Sequence, residues 1–360
     1  MSTQTSQARQ PTLRGSSAPL ASRYDVALLD LDGVVYLGRA AVTGAPQALA
    51  SAREHGMRLA FVTNNAARTP EQVAAQLREL GVPADPWEVI TSSQAAAHYL
   101  AERLPARARV LVIGADGLVE ALQERDLVPV FSADDEPAAV VQGYSPDTNW
   151  RMLAEGAIAI QRGVPWVATN IDATLPSARG PLPGNGSLVA ALRHATGATP
   201  VVTGKPEPTM HRETVERSGA QHPIVVGDRL DTDVEGARAV GCPSLLVLTG
   251  VTTPALLLEA PERLRPDYIA ADLGGLLIAH PEPIVDRAGA RCGVWSATRN
   301  GTALTLRAAT SGTDRSTGDE LDALRALCAA AWTWSNDAGV VRVEGADAEA
   351  SAVLARLSLA

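Results

Sequence analysis

The segment Asp25-Val-Ala-Leu-Leu-Asp30-Leu-Asp32-Gly33 determines the fold class, because it is a short apolar run that ends in two carboxylates and a glycine. A run of this length bounded by a turn signal predicts a buried strand. Further along the chain, the pattern predicts a helix over 45–55, a second buried strand over 57–63 and a helix that begins near residue 70 and ends at Gly81. This alternation predicts a parallel sheet covered by helices on both faces.

The alternation of strands and helices continues to residue 270, although a proline-rich segment at 83–86 interrupts it. Beyond this break we predict elements at 92–104, 109–113, 117–125, 138–142, 149–162, 166–169 and 187–195, and then at 201–202, 207–217, 223–227, 232–240, 244–248 and 267–270. We therefore predict an α/β fold. Residues 24–84 and 200–284 would form one Rossmann-like core domain, and residues 85–199 an inserted α/β cap.

The two ends of the chain have different predicted structures. Residues 285–360 contain two strand-like runs around a turn at Asn300-Gly301, followed by a helix over 320–332, a strand over 340–343 and a helix over 349–357. We predict that they form a small α+β module. Residues 1–23 are polar, contain no acidic residue and lack an apolar signal core, so we predict a disordered tail rather than a secretory signal.

Composition excludes several classes of protein. The chain has 360 residues, 46% of them apolar, and a net charge of −9, which is ordinary for a globular protein. An acidic surface argues against a nucleic-acid partner, and no apolar run is long enough for membrane insertion. The three cysteines are scattered, which favours a reducing compartment and predicts a cytoplasmic protein without structural zinc. Association into a homo-oligomer is left open.

Polar side chains follow four of the predicted strands, at the carboxyl ends where open parallel sheets bind ligands. In chain order they are Asp30, Asp32, Thr63, Asn64, Lys205, Asp228 and Asp233. Such a set fits a divalent cation with an anionic substrate. Each member alone has a plainer interpretation, because Asp-x-Asp after a strand is often only a turn and Thr63-Asn64 could cap a helix. A calcium loop beginning at Asp231 is rejected, since its twelfth position holds Cys242.

Lysine is almost absent from the chain. Only one of the 31 basic residues, Lys205, is a lysine. A position that keeps lysine in such a composition either needs a compact ammonium group or has kept it by chance. The lysine count alone does not distinguish these two explanations.

Taken together, four segments resemble the motifs of the haloacid-dehalogenase-like superfamily, and they occur in the family's order. They are Asp30-Leu-Asp32-Gly33-Val-Val-Tyr36, Val62-Thr63-Asn64-Asn65, Thr203-Gly204-Lys205-Pro206 and Gly227-Asp228-x4-Asp233. Two further segments resemble the nitrophenylphosphatase-like branch, which carries a large α/β cap between the second and third motifs: Thr169-Asn170-x-Asp172-x3-Pro176 and Gly184-x-Gly186-Ser187. The resemblance covers about residues 24–280 and implies a phosphatase.

The resemblance also implies roles for these residues. Asp30 would be the nucleophile and Asp32 the general acid and base. Thr63, Asn64 and Lys205 would hold the phosphate oxygens. Mg2+ would be held by the carboxylates of Asp30 and Asp228 and the backbone carbonyl of Asp32, with Asp233 orienting a bound water. The cap would cover the leaving group, with Asn170 and Asp172 as candidate contacts.

Several alternatives for the substrate and the activity remain open. Glycerol 3-phosphate is the first choice among small phosphorylated metabolites, because relatives acting on it carry a C-terminal region likened to an acetyltransferase, of similar size to this one. Phosphoglycolate, pyridoxal phosphate and nucleoside monophosphates are runners-up. A non-catalytic phosphate sensor, or phosphoryl transfer to an acceptor other than water, is also compatible with the sequence. No acyl-CoA pyrophosphate loop is visible in residues 285–360, so we predict no transferase activity there.

Overall fold

A six-stranded parallel sheet, called the large sheet below, forms the centre of the computed structural model, which describes residues 13–175, 179–308, 319–333 and 342–359. Its strands, in spatial order, are Tyr268–Ala270, Ser244–Val247, Pro223–Gly227, Val26–Leu29, Arg58–Thr63 and Val89–Thr91. The Val26–Leu29 strand is fully buried between two neighbours. The predicted α/β class with a parallel sheet is confirmed.

Helices cover both faces of the large sheet. The α-helices are Leu20–Arg23, Ala45–Glu54, Pro70–Glu79, Ser92–Ala101, Pro208–Ser218, Glu235–Ala239 and Pro254–Leu258. The 3-10 turns are Pro86–Glu88, Glu262–Leu264 and Leu273–Leu277, and a small hairpin pairs Tyr36–Leu37 with Ala40–Ala41. The helix that begins at Pro70 has the predicted cap, because Thr69 and Gln72 exchange side-chain to backbone hydrogen bonds.

A second parallel sheet lies in the inserted unit, which we define as residues 109–202. Its strands, in spatial order, are Val201–Val202, Trp166–Ala168, Ala139–Gln142, Arg109–Ile113 and Val128–Val130. Its helices are Asp116–Glu124, Trp150–Gln161 and Asn185–Thr196, with a 3-10 turn at Ala133–Asp135 and a two-stranded ribbon of Thr174–Leu175 and Leu182–Pro183. Alternate side chains of these strands enter two apolar clusters, one on each face.

The structure moves both predicted cap boundaries. Val89–Thr91, predicted to lie in the cap, pairs with Arg58–Thr63 at the edge of the large sheet. Val201–Val202, predicted to lie in the core, pairs instead with Trp166–Ala168. Strands of two or three residues are too short for periodicity to assign. The Ser92–Ala101 helix joins the two units, since its apolar side chains enter the core of each.

In its described residues, the C-terminal module contains a five-stranded sheet and two helices. Its strands are Ile284–Asp286, Gly289–Cys292, Trp295–Asn300, Ala303–Ala308 and Arg342–Gly345, and all pairs are antiparallel except the last. The helices are Asp319–Thr333 and Ala348–Arg356. The predicted strand over 340–343 begins outside the described residues and is observed from Arg342.

The Asp319–Thr333 helix packs on one face of the large sheet. Leu246 and Ile269 of that sheet share an apolar cluster with this helix, whereas their strand neighbours face the opposite core. Trp332 Nε1 donates to the Leu257 carbonyl at 3.2 Å, and the guanidinium of Arg325, which is buried, donates to the Ile269 carbonyl at 2.7 Å. The C-terminal module therefore completes the hydrophobic core of the large sheet.

Residues 13–23 differ from the predicted disordered tail. Leu13 is buried in the cluster shared with the C-terminal module, and Ser16 pairs with His280 through two backbone hydrogen bonds of 2.8 Å. Leu20 and Ala21 of a short helix are also buried. Isolated apolar residues in a polar segment gave no periodic signal, so the sequence did not reveal this docking. Residues 1–12 lie outside the described residues.

Within the described ranges, no helix has the length and apolarity needed to cross a membrane.

Replacing Trp332 by alanine tests the packing of the C-terminal module. We expect Trp332→Ala to lower the free energy of unfolding by about 3–5 kcal/mol, since it leaves a cavity in the shared core and removes a buried hydrogen bond. The matched control is Trp150→Ala, because the Trp150 side chain is 79% exposed. Chemical denaturation would measure both variants, and equal effects would contradict the packing described here.

Candidate active site

A cavity of about 660 Å³ lies between the carboxyl ends of the large sheet and the loops of the inserted unit. The ends of the large-sheet strands contribute Asp30, Asp32, Thr63, Asn64 and Asp228. Lys205 lies in the loop after Val201–Val202, a strand of the second sheet, and Asp233 lies behind Lys205, outside the cavity wall. The inserted unit contributes Tyr144, Asn170, Asp172 and Asn185. The structure thus brings together the side chains that the sequence placed at the strand ends.

Lys205 is the central contact of this site. Its ammonium group donates to Asp30 Oδ1 at 2.6 Å and to Asp233 Oδ1 at 2.8 Å, and its side chain is only 3% exposed. Burial alone would lower the pKa of Lys205, but the charges of Asp233 and Asp30 outweigh burial and raise the pKa above its ordinary value. Lys205 therefore stays charged and holds two carboxylates in fixed positions.

Asp30 lies among charges of both signs. Burial raises the pKa of Asp30; Lys205 opposes that shift, while Asp233 and Asp228 add to it. Three carboxylates around one ammonium leave an excess of negative charge that a cation at this point would neutralise.

Asp228 has the features of a metal ligand. Its Oδ2 accepts the Val251 N–H at 2.6 Å, whereas its Oδ1 is buried without a hydrogen-bond partner. Carboxylate oxygens of Asp30, Asp228 and Asp233 lie within 4.8 Å of one another. An all-oxygen set with an unpartnered buried oxygen fits Mg2+.

Two glycines allow the backbone to approach Asp228 closely. A Cβ at Gly33 would lie 2.6 Å from Asp228 Oδ2, and Gly33 also has a φ of +85°. A Cβ at Gly250 would lie 2.0 Å from the same oxygen. The turn after the first strand therefore requires glycine both for its conformation and for space around the carboxylate.

Asp233 lies in a π-helical turn, Leu230–Val234, that precedes the Glu235–Ala239 helix. The sequence predicted one regular helix over 232–240. The wider turn brings the Asp233 carboxylate close to that of Asp30, which follows the first strand. The second carboxylate oxygen of Asp233, Oδ2, accepts the Arg229 N–H at 3.1 Å. Such turns are rare and often lie at functional sites. Both oxygens of Asp233 have protein partners, which is consistent with a role outside the metal's direct ligands.

Asp32 and Thr63 lie on the cavity wall. The carboxylate of Asp32 is open to the cavity, and burial by the surrounding walls raises its pKa against the opposing charges of Arg68 and Lys205. A raised pKa helps a carboxyl group to hold a proton for a leaving group. Thr63 Oγ1 accepts the Asn65 N–H at 3.1 Å, which leaves the hydroxyl hydrogen available to a ligand.

Asn64 lies on the cavity wall, and its side chain is held by hydrogen bonds within the protein. Asn64 Oδ1 accepts the Lys205 N–H at 2.9 Å, and Nδ2 donates at 3.1 Å both to the Lys205 carbonyl and to Asp172 Oδ2. Its own carbonyl accepts Asn170 Nδ2 and Ser92 Oγ at 2.7 Å. The side chain thus connects the Lys205 loop with the inserted unit, and the contact of Asn64 with phosphate stays a prediction.

Sequence reasoning missed Asn185 and Arg229. Asn185 Nδ2 donates to the Asn170 carbonyl at 2.7 Å and so supports the loop that carries Asp172. Arg229 lines the cavity and forms a two-pronged ion pair with Asp231. Both residues lie inside segments that resemble family motifs. This position next to predicted site residues was the feature of the sequence that could have identified them.

Comparisons with known proteins identify the families that this chain resembles. Residues 27–128 match the family model described as haloacid dehalogenase-like hydrolase, residues 202–276 match a related HAD-hydrolase-like model, and residues 292–359 match a GCN5-related N-acetyltransferase-like domain. The chain is 45% identical over 351 residues to D-glycerol 3-phosphate phosphatase of Mycobacterium tuberculosis, covering 94% of this chain and 96% of that protein.

Solved structures that are similar to this one include two phosphatases. A glycerol phosphate phosphatase from Mycobacterium tuberculosis in complex with magnesium is 44% identical with a TM-score of 0.85, and the match covers 95% of this chain and 99% of that one. A p-nitrophenyl phosphatase from Archaeoglobus fulgidus is 32% identical with a TM-score of 0.66, covering 71% of this chain and 98% of that one. The resemblance inferred from the motifs is confirmed.

The pKa of Asp228 predicts how Mg2+ binding depends on pH. Burial and the Asp233 carboxylate raise this pKa to about 6, and only the deprotonated carboxyl can bind the metal. We therefore expect the Mg2+ affinity to fall by at least about tenfold for each pH unit below about 6, because the Asp30 carboxyl, whose pKa is also raised, must be deprotonated as well. Calorimetric titration with Mg2+ at several pH values measures this, with Asp134→Asn, at an exposed carboxylate outside the cavity, as a control that keeps the dependence. Equal affinities at about pH 5 and pH 7 would show that Asp228 is not a ligand.

Proposed function

The chain belongs to the haloacid dehalogenase-like hydrolase family and is a Mg2+-dependent phosphatase, and we propose that its substrate is glycerol 3-phosphate, which it hydrolyses to glycerol and inorganic phosphate. The observation that carries the mechanism is the contact of the buried Lys205 ammonium with Asp30 and Asp233. The choice of substrate is supported by the 45% identity, over 94% of the chain, to a phosphatase named for it.

Asp30 acts as the nucleophile in this proposal. Its carboxylate oxygen forms a bond to phosphorus while the bond from phosphorus to the glycerol oxygen breaks, which gives an aspartyl-phosphate. Lys205 binds Asp30 Oδ1 and so fixes the orientation of the carboxylate, leaving Oδ2 for the attack. Preorganisation of this kind lowers the barrier, because the reacting groups need not be ordered during the reaction.

Asp32 transfers the protons. Its raised pKa lets it hold a proton that it donates to the departing glycerol oxygen. In the second step, the Asp32 carboxylate accepts a proton from water as that water attacks phosphorus. The bond from phosphorus to the Asp30 oxygen then breaks, releasing phosphate and restoring both carboxyl groups.

The remaining polar residues stabilise the phosphate. When bound, Mg2+ offsets the repulsion between the carboxylates and the phosphate. The Asp30 and Asp228 carboxylates and the Asp32 carbonyl would hold it, while Asp233 fixes Lys205 from behind. Lys205 and Thr63 would donate to the equatorial phosphate oxygens, where charge accumulates.

The inserted unit acts as the cap over the leaving group. This is supported by the position of its Asn170 and Asp172 on the cavity wall, opposite the strand ends. We assign the C-terminal module, residues 285–360, no catalytic role, because its described residues pack on the large sheet and none of them lines the cavity. Three free cysteines support a reducing, cytoplasmic setting.

Phosphate release from the full-length chain with Mg2+ tests this proposal. We expect hydrolysis of glycerol 3-phosphate that EDTA abolishes, and a loss of more than about a thousandfold in kcat for Asp30→Asn, because an amide cannot form the aspartyl-phosphate. Asp134→Asn, at an exposed carboxylate of the inserted unit, should keep full activity.

Other outcomes would lead to different conclusions. Faster turnover of phosphoglycolate, pyridoxal phosphate or a nucleoside monophosphate would overturn the choice of substrate. No metal-dependent release from any of these substrates would indicate a phosphate sensor. Transfer of the phosphoryl group to an added alcohol in preference to water would indicate a transferase.

A further inference from the structure

Two charged side chains in the cavity are not used by the chemistry described above. Asp172 comes from the inserted unit, and Arg229 follows the Pro223–Gly227 strand of the large sheet. Burial raises the pKa of Asp172, while the Asn64 hydrogen bond and the charge of Arg229 oppose that rise. Both groups line the space that a leaving group would enter.

The carboxylate of Asp172 is held in place without a ligand. Asn64 Nδ2 donates to its Oδ2 at 3.1 Å, and the Asp172 backbone N–H donates to Asn170 Oδ1 at 3.2 Å. Asn185 supports this loop through the Asn170 carbonyl. The second oxygen, Oδ1, is left to accept a hydrogen bond from a ligand in the cavity.

The positive charge of Arg229 is already offset. Its Nε and Nη2 contact the two oxygens of Asp231 at 3.1 and 2.8 Å, in the paired geometry that favours strong binding. With Arg229 and Asp231 neutralising each other, Asp172 gives this part of the cavity a net negative charge. A neutral group that can donate hydrogen bonds suits this part of the cavity, whereas an anionic group would be repelled.

We propose that Asp172 makes the site select its substrate by charge, so that it accepts phosphomonoesters whose leaving alcohol carries neutral hydroxyl groups and rejects those whose leaving alcohol carries a carboxylate. This inference rests on the proposed phosphatase function and adds the class of leaving group. A hydroxyl of the leaving alcohol donates to Asp172 Oδ1. A carboxylate at the same place repels Asp172 in a site partly shielded from water, where charges interact more strongly than in bulk solvent.

Two opposite charge changes test the proposal. For the full-length chain with Mg2+, kcat/KM is measured for glycerol 3-phosphate and for 2-phosphoglycolate. The kcat/KM for 2-phosphoglycolate divided by that for glycerol 3-phosphate is then compared between each variant and the wild type. We expect Asp172→Asn to raise this ratio by about tenfold, because one repulsive charge is removed. Arg229→Gln should lower the ratio, because it leaves the negative charge of Asp231 unopposed.

The control is Asp134→Asn, which removes the same charge from a carboxylate of the inserted unit that is 85% exposed and outside the cavity. We expect it to leave the ratio unchanged. A purely structural role for Asp172 would lower both kcat/KM values together, so an unchanged ratio in Asp172→Asn would overturn the proposal. A wild-type preference for 2-phosphoglycolate would also overturn it, whereas hydrolysis of neither ester would refute the proposed phosphatase itself.

Discussion

The contact of one buried ammonium with two buried carboxylates is the interaction on which this site depends. Lys205 contacts Asp30, which follows the first strand, and Asp233 in the π-helical turn. Asp30 is 175 residues and Asp233 is 28 residues away from Lys205 in the sequence, so the contact joins distant elements. Removing either the ammonium group or its carboxylate partners would leave an unpaired charge in the interior, which is strongly destabilising. An arginine would not fit this contact, because its planar guanidinium is larger than an ammonium group. This explains why the single lysine of the chain occupies this position.

The topology of the large sheet makes that contact possible. Parallel strands end at the same edge, so the first strand, its neighbour Arg58–Thr63 and the Pro223–Gly227 strand direct their following residues to one point. Asn64 extends this arrangement to the inserted unit, because it binds the backbone of Lys205 and the side chain of Asp172 simultaneously. The position of the phosphate site and that of the leaving-group site are therefore linked through one side chain.

The sequence predicted what depends on local pattern or on motif spacing. Buried runs such as Val26–Leu29 and the cap at Thr69 identified the sheet and its helices, and the motifs located Asp30 and Lys205. The missed features depend on tertiary contacts. Val89–Thr91 and Val201–Val202 are too short to show a hydrophobic period. Only the strands that they pair with in the structure show to which sheet each belongs. Likewise, no local pattern shows that the side chain of Asn64 is bound to the Lys205 loop.

The charge state of Lys205 reports directly on its contact with the two carboxylates, and having a single lysine makes the measurement simple. Labelling with 15N-lysine gives one side-chain nitrogen resonance, which can be followed by NMR as the pH is raised. We expect an ammonium signal that is protected from exchange and stays protonated above the ordinary lysine pKa, because Asp233 and Asp30 stabilise the charge. A rapidly exchanging resonance that titrates at or below the ordinary lysine pKa would contradict it.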